Sequence, residues 1–134
     1  MADLTITAAN VDWVSGPRST VDAGETIAVG DAIYKSSADS LLYVANVTDP
    51  AKDDVVGIAL NAATINQPVT YAASGATVGF GAILTATETY VLSATGGIAP
   101  VGDLLALDYM TRLGTALTTS NMLLQLYTSS IIKA

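Results

Sequence analysis

Residues 55–99, VVGIALNAATINQPVTYAASGATVGFGAILTATETYVLSATGGIA, decide how the rest of the chain is read. Val55 to Leu60, Pro68 to Ala72, Ala76 to Phe80 and Thr89 to Ser93 each hold four to six strand-favouring residues, with turn formers between them. Short runs at this spacing predict a small all-β fold, either a sandwich or a barrel of tulip-like or SH3-like form. Within Val69-Thr70-Tyr71-Ala72 large and small side chains alternate, so Val69 and Tyr71 are expected on one face, turned inward.

Outward from this hub, Leu4-Thr5-Ile6-Thr7 alternates like a strand but runs into Asn10, Asp12, Ser15-Gly16-Pro17 and Arg18-Ser19, a series of breakers. Residues 1–23 therefore read as an extended N-terminal arm and residues 24–134 as the β-domain. Trp13 is the one tryptophan and lies in this arm, where its ring is either pinned onto the domain or offered to a partner. Glu25–Val29, Gly30-Asp31 and Ala32–Lys35 read as strand, tight turn and strand. Leu41–Ala45 is a further strand, and Thr48–Asp54 a charged loop. Met110–Leu117 and Met122–Thr128 form a closing hairpin around Thr118-Thr119-Ser120-Asn121, while Leu104–Leu107 fits either a helical turn or a strand.

Composition narrows the function. A chain of 134 residues is of single-domain size. Twelve acids against five bases leave a net charge of −7, which repels phosphate backbones and argues against nucleic acid as a partner. Without cysteine there is no disulfide, thiolate metal site or cysteine nucleophile; without histidine, no Ser-His-Asp triad and no imidazole base or metal ligand. Lys35-Ser36-Ser37 is the remaining candidate dyad, in a polar stretch that gives no reason for an activated lysine. Asp49, Asp53 and Asp54 lack the oxygen spacing of a calcium loop, and Gly79-Phe80-Gly81 lacks the third glycine of a phosphate loop. Asn46-Val47-Thr48 matches a glycosylation sequon, but the N-terminus has no secretory pattern and no apolar run is long enough to cross a membrane as a helix. These features predict neither an enzyme nor a membrane protein, and no metal, cofactor or small-molecule site. The acids, mostly beside turn residues, are expected to form turns and to solvate the surface.

Only 13% of residues are charged while 51% are hydrophobic, with 22 alanines and 17 threonines. Small side chains let neighbouring subunits approach closely at little cost in side-chain entropy, so the composition points to assembly.

Several longer strings carry a family resemblance: Ala2–Val11 (ADLTITAANV), Val56–Asn61 (VGIALN), Gln67–Thr70 (QPVT), Tyr90–Pro100 (YVLSATGGIAP) and Leu113–Ala116 (LGTA). In these the chain resembles the decoration, or cement, proteins that coat tailed-bacteriophage heads. Asp12–Val21, with Trp13 and Arg18, departs from that pattern. The resemblance implies a non-enzymatic, β-rich homotrimer on the exterior of the virion, made in the host cytoplasm before assembly. Its partner would be the major capsid protein, whose neighbouring subunits it would bridge to stabilise the head. The arm would make the contacts through Leu4, Ile6, Trp13 and Arg18. The alternative is a carbohydrate-binding β-module of a phage tail or head fibre, which would need its aromatic residues along an open groove.

Overall fold

The computed structural model describes residues 6–45, 55–92, 97–100 and 109–132. The chain is all-β, two antiparallel sheets stacked as an open sandwich. Its strands are β1 (Asp12–Ser15), β2 (Arg18–Asp22), β3 (Ala32–Lys35), β4 (Leu42–Val44), β5 (Val55–Ala59), β6 (Pro68–Ala72), β7 (Thr77–Gly79), β8 (Thr89–Leu92), β9 (Ile98–Pro100), β10 (Tyr109–Ala116) and β11 (Asn121–Ile132). The first sheet has the order β1-β7-β11-β10-β8-β9 and the second β2-β6-β5-β3-β4. Neither closes on itself, so the sandwich and not the barrel is the architecture.

The apolar runs of the hub all become strands, and Val69 and Tyr71 do share a face. The closing hairpin forms as β10 and β11. Glu25–Val29, expected as a strand, is not one. Only Ile27 pairs, in an isolated bridge to Ala63, because its neighbours Thr26 and Ala28 are exposed and the chain turns at once through Gly30. The Thr48–Asp54 loop and Leu104–Leu107 lie outside the described residues.

Two cores hold the sandwich. One lies between the sheets and takes Ile58 and Ala72 from the second sheet, and Val78, Tyr90, Leu92, Ile98, Leu113, Met122 and Leu124 from the first. The other lies on the far face of the second sheet, where Ile33, Leu42, Ala59 and Val69 meet Ala23, Ile27 and Ala63. Strand β5 is thus covered on both sides, which explains why Val-Val-Gly-Ile-Ala reads as a continuous apolar run and not as a strict alternation. The roof over the far face is made of two connecting segments, 23–30 and 60–67. They satisfy each other's backbone: the Ile27 N–H donates to Ala63 O at 2.8 Å, Ala63 to Ile27 at 3.0 Å, Ala23 to Gln67 at 2.8 Å and Asn66 to Ala23 at 2.8 Å. Asn61 adds its side chain, accepting from the Thr70 N–H at 2.7 Å and donating to Pro68 O at 3.1 Å.

The N-terminal stretch read as an arm is woven in from residue 12 onward. Strand β1 pairs with β7 in the first sheet, β2 with β6 in the second, and Gly16-Pro17 carries the chain between them. Gly16 has φ +96°, and a Cβ there would lie 2.5 Å from Ala76 Cα, so the crossing requires glycine. Ahead of β1, residues 6–11 run across one end of the sandwich. Ile6 and Val11 close over Gly30 of the second sheet's turn, and Asn10 over Gly81, just past β7.

Ile27→Ala is expected to destabilise the protein by about 2–4 kcal/mol in chemical denaturation, through lost burial and the cavity left under the roof. The exposed neighbour Thr26→Ala should change it by less than about 0.5 kcal/mol. Equal, small effects would show that the roof contributes no core.

Candidate interaction surface

Of the four residues expected to make contacts, the three that are described do not form one exposed patch. Leu4 lies outside the described residues. Ile6 is half-buried against the core between the sheets. Trp13, on β1, packs against the same core, and the Arg18 guanidinium sits over its ring, 4.1 Å from the centroid. Of the two roles open to Trp13, the structure gives it the first: its ring is pinned. The pair braces the sheets where Gly16-Pro17 joins them, an arrangement worth about 0.5–1 kcal/mol at an exposed site. The Trp13 indole Nε1 is buried with no hydrogen-bond partner among the described residues.

Among the described residues, the large apolar side chains that face solvent are Val14 (48% exposed), Ile65 (62%) and Leu117 (53%). Val14 is on β1 at a register shift between Trp13 and Ser15. Ile65 and Leu117 occupy connecting segments at one end of the sandwich, the end crossed by residues 6–11. Segments 23–31, 60–67, 80–88 and 117–120 gather there, because β3, β8 and β11 start at that end and β5, β7 and β10 finish at it. The charged side chains on these four segments, Glu25, Asp31 and Glu88, are all acidic. Sequence reading misses Ile65 and Leu117, since an isolated apolar residue in a turn has no periodicity to set it apart from core.

The acids tie turns, as their positions beside turn residues suggest. Asp31 Oδ2 accepts from the Ala28 N–H at 2.9 Å, and the Glu25 carboxylate accepts from the Val44 N–H at 3.0 Å. Asp39 accepts from the Leu41 N–H at 3.0 Å and from the Tyr43 hydroxyl at 2.6 Å. The Tyr43 hydrogen bond holds the Asp39 carboxyl below the ordinary aspartate value and pushes the Tyr43 phenol up. The Asp31 carboxyl is pushed up instead, chiefly by burial; the Ala28 hydrogen bond opposes this and repulsion from Glu25 adds to it.

No group of three acidic, histidine or cysteine side chains among the described residues is placed to hold a metal. Ser36 of the Lys-Ser-Ser stretch is a turn residue: its hydroxyl accepts from the Ala38 N–H at 3.2 Å. A groove of about 330 Å³ runs over the outer face of the first sheet, lined by Ser74, Gly75, Arg112 and Leu123 through Leu126. Arg112 Nε donates there to Gln125 O at 3.1 Å. No aromatic side chain among the described residues lines it. Phe80 and Tyr90 are core residues, Tyr34 and Tyr43 stack on each other with centroids 5.8 Å apart, and Trp13 carries Arg18 on its face. Tyr71 is half-buried against the far-face core, so the described aromatics do not line one open groove. No family model matches the chain, and no curated protein does either.

The raised Asp31 acid has a definite sign. A carboxyl that binds its proton more tightly when folded contributes most below its ordinary value of 3.8, and that contribution is lost as pH rises through the folded value. Asp31→Asn keeps an acceptor for the Ala28 N–H and removes the charge. In denaturation between about pH 3 and 8, the variant should exceed the parent in stability at neutral pH, with the gap closing toward 3.8. A variant less stable than the parent at neutral pH would contradict this.

Proposed function

We propose that this chain is a structural virion protein that binds the outer surface of a bacteriophage capsid, as a homotrimer, and stabilises the shell by bridging neighbouring major capsid protein subunits. The observation that carries the reading is the set of strings resembling the decoration proteins, and where they fall. VGIALN covers the doubly buried β5 and its exit, QPVT the start of β6, and LGTA the register shift of β10 opposite β8 and β11. The likeness thus reaches the framework of both sheets.

The surface supports the same reading. A protein holding subunits together against the pressure of packaged DNA needs contact area and avidity over many copies, and no reactive group. The end crossed by residues 6–11 offers exposed Ile65 and Leu117 beside small and acidic side chains. There an N-terminal segment carrying Leu4 and Ile6 would reach the capsid, while Trp13 and Arg18, braced on each other, would fix its point of departure.

Deletion of residues 2–11 leaves β1 and β2 in place and tests the assignment by co-sedimentation with undecorated capsids. The full chain should sediment saturably and the truncated one at least about tenfold more weakly, equivalent to about 1.4 kcal/mol. Undiminished binding by the truncated chain would remove the N-terminal segment from the contact, and failure of the full chain to bind would overturn the function.

A further inference from the structure

The described charged residues are sorted by end. Glu25, Asp31 and Glu88 lie on the segments that gather at the end crossed by residues 6–11. The registers add two more acids there: Asp12 pairs with Gly79, the last residue of β7, and Asp22 with Pro68, the first of β6. No described basic residue shares this end. Arg18 starts β2 opposite Ala72 and Lys35 ends β3 opposite Leu42, both at the far end, and Arg112 lines the groove of the first sheet. Glu25 and Asp31 are engaged with backbone N–H groups. The carboxylates of Asp12, Asp22 and Glu88 make no hydrogen bond or ion pair among the described residues.

Each exposed apolar side chain of this end adjoins one of those carboxylates along the backbone. The Asn66 N–H donates to Ala23 O and the Ala23 N–H to Gln67 O, both at 2.8 Å, which sets the Ile65 turn beside the end of β2 at Asp22. Next to Leu117, the Ala116 N–H donates to Glu88 O at 3.0 Å and the Thr87 N–H to Ala116 O at 2.9 Å. Ile65 with Asp22 thus belongs to the second sheet's connections, and Leu117 with Glu88 to the first sheet's. The same backbone bonds hold both positions in place before any partner arrives, so docking there orders little further chain.

An exposed apolar side chain next to an unpaired carboxylate has a specific complement. Lysine and arginine carry an aliphatic stem that packs on apolar surface and a cationic head that meets a carboxylate. An acidic partner would set like charges together, and a wholly apolar one would desolvate Asp22 and Glu88 without compensation. A second copy offers no such surface among its described residues, since Arg18, Lys35 and Arg112 sit on separate strands and Arg18 is stacked on Trp13.

We propose that this end is a docking face for a basic protein surface, whose lysine or arginine side chains lie along Ile65 and Leu117 and reach Asp22 and Glu88. The identity of the partner rests on the capsid reading above: the patch of the major capsid protein beneath this chain is cationic. Attachment is then steered by charge as well as held by apolar contact.

Co-sedimentation of the full chain with undecorated capsids, at about 0.05 M and about 1 M salt, tests the face. Asp22→Asn with Glu88→Gln removes two negative charges at this end; Ser37→Lys with Ala38→Lys adds two positive charges in the exposed connection between β3 and β4, at the far end. The first pair should weaken binding about tenfold at low salt, the difference falling below about twofold at high salt, where charges are screened beyond about 3 Å. The second pair should bind within about twofold of the parent. Ile65→Ser should weaken binding about tenfold at both salt concentrations. Circular dichroism checks that each variant is folded. Binding of the Asp22→Asn, Glu88→Gln protein equal to the parent's, or equal losses in both charge variants, would overturn the proposal while leaving the capsid reading in place. Should the parent itself not sediment with capsids, the capsid reading fails and oligolysine titrated into the isotope-labelled chain decides the face. Amide shifts concentrated around Asp22, Ile65, Glu88 and Leu117 are expected, and shifts spread evenly over the chain would overturn the proposal.

Discussion

The structure depends on covering the second sheet from both sides. A five-stranded sheet with one apolar face can rest on its partner sheet and leave the other face to water, but β5 carries apolar side chains in both directions and so needs a second cover. No third sheet supplies it among the described residues. Two connecting segments do, and they can lie over an apolar face only because each meets the other's backbone hydrogen-bonding needs, Ile27 with Ala63 and Ala23 with Asn66 and Gln67. The roofing segments are pinned on their inner side, and only their outward side chains, such as Ile65, are left for contact. What remains for contact is the end with residues 6–11 and the outer face of the first sheet.

This division accounts for what can be read in the sequence. Strands β5 through β8 are legible because they are buried and their apolar residues fall in short runs between glycines and prolines; the Val69 and Tyr71 alternation gives the facing of β6 correctly. The closing hairpin is legible for the same reason. Segment 12–22 is not, since an edge strand has few buried positions: β2 shows a single half-buried residue, Val21, and its partner β6 lies about fifty positions away in the chain. Glu25–Val29 looks like a strand by its apolar content, yet only Ile27 turns inward. Of the candidate contact residues, Trp13 and Arg18 stand out separately in the sequence; that they stack on each other does not follow from their spacing, because the Gly16-Pro17 crossing sets it.

Asp31 and Asp39 are engaged in turns, and no cluster of described acidic side chains is placed to hold a metal. The end with Ile65 and Leu117 sets exposed apolar side chains beside the acidic Glu25, Asp31 and Glu88.

The claim beneath all of this is that the two roofing segments are core and not loop. Native-state hydrogen exchange at the Ile27 and Ala63 amides measures it directly. Opening free energies equal to those of Ile58 and Ala59 in β5, rising together with global stability, are what the account predicts. Exchange of Ile27 and Ala63 orders of magnitude faster than β5, through local opening that leaves the sheets intact, would contradict it.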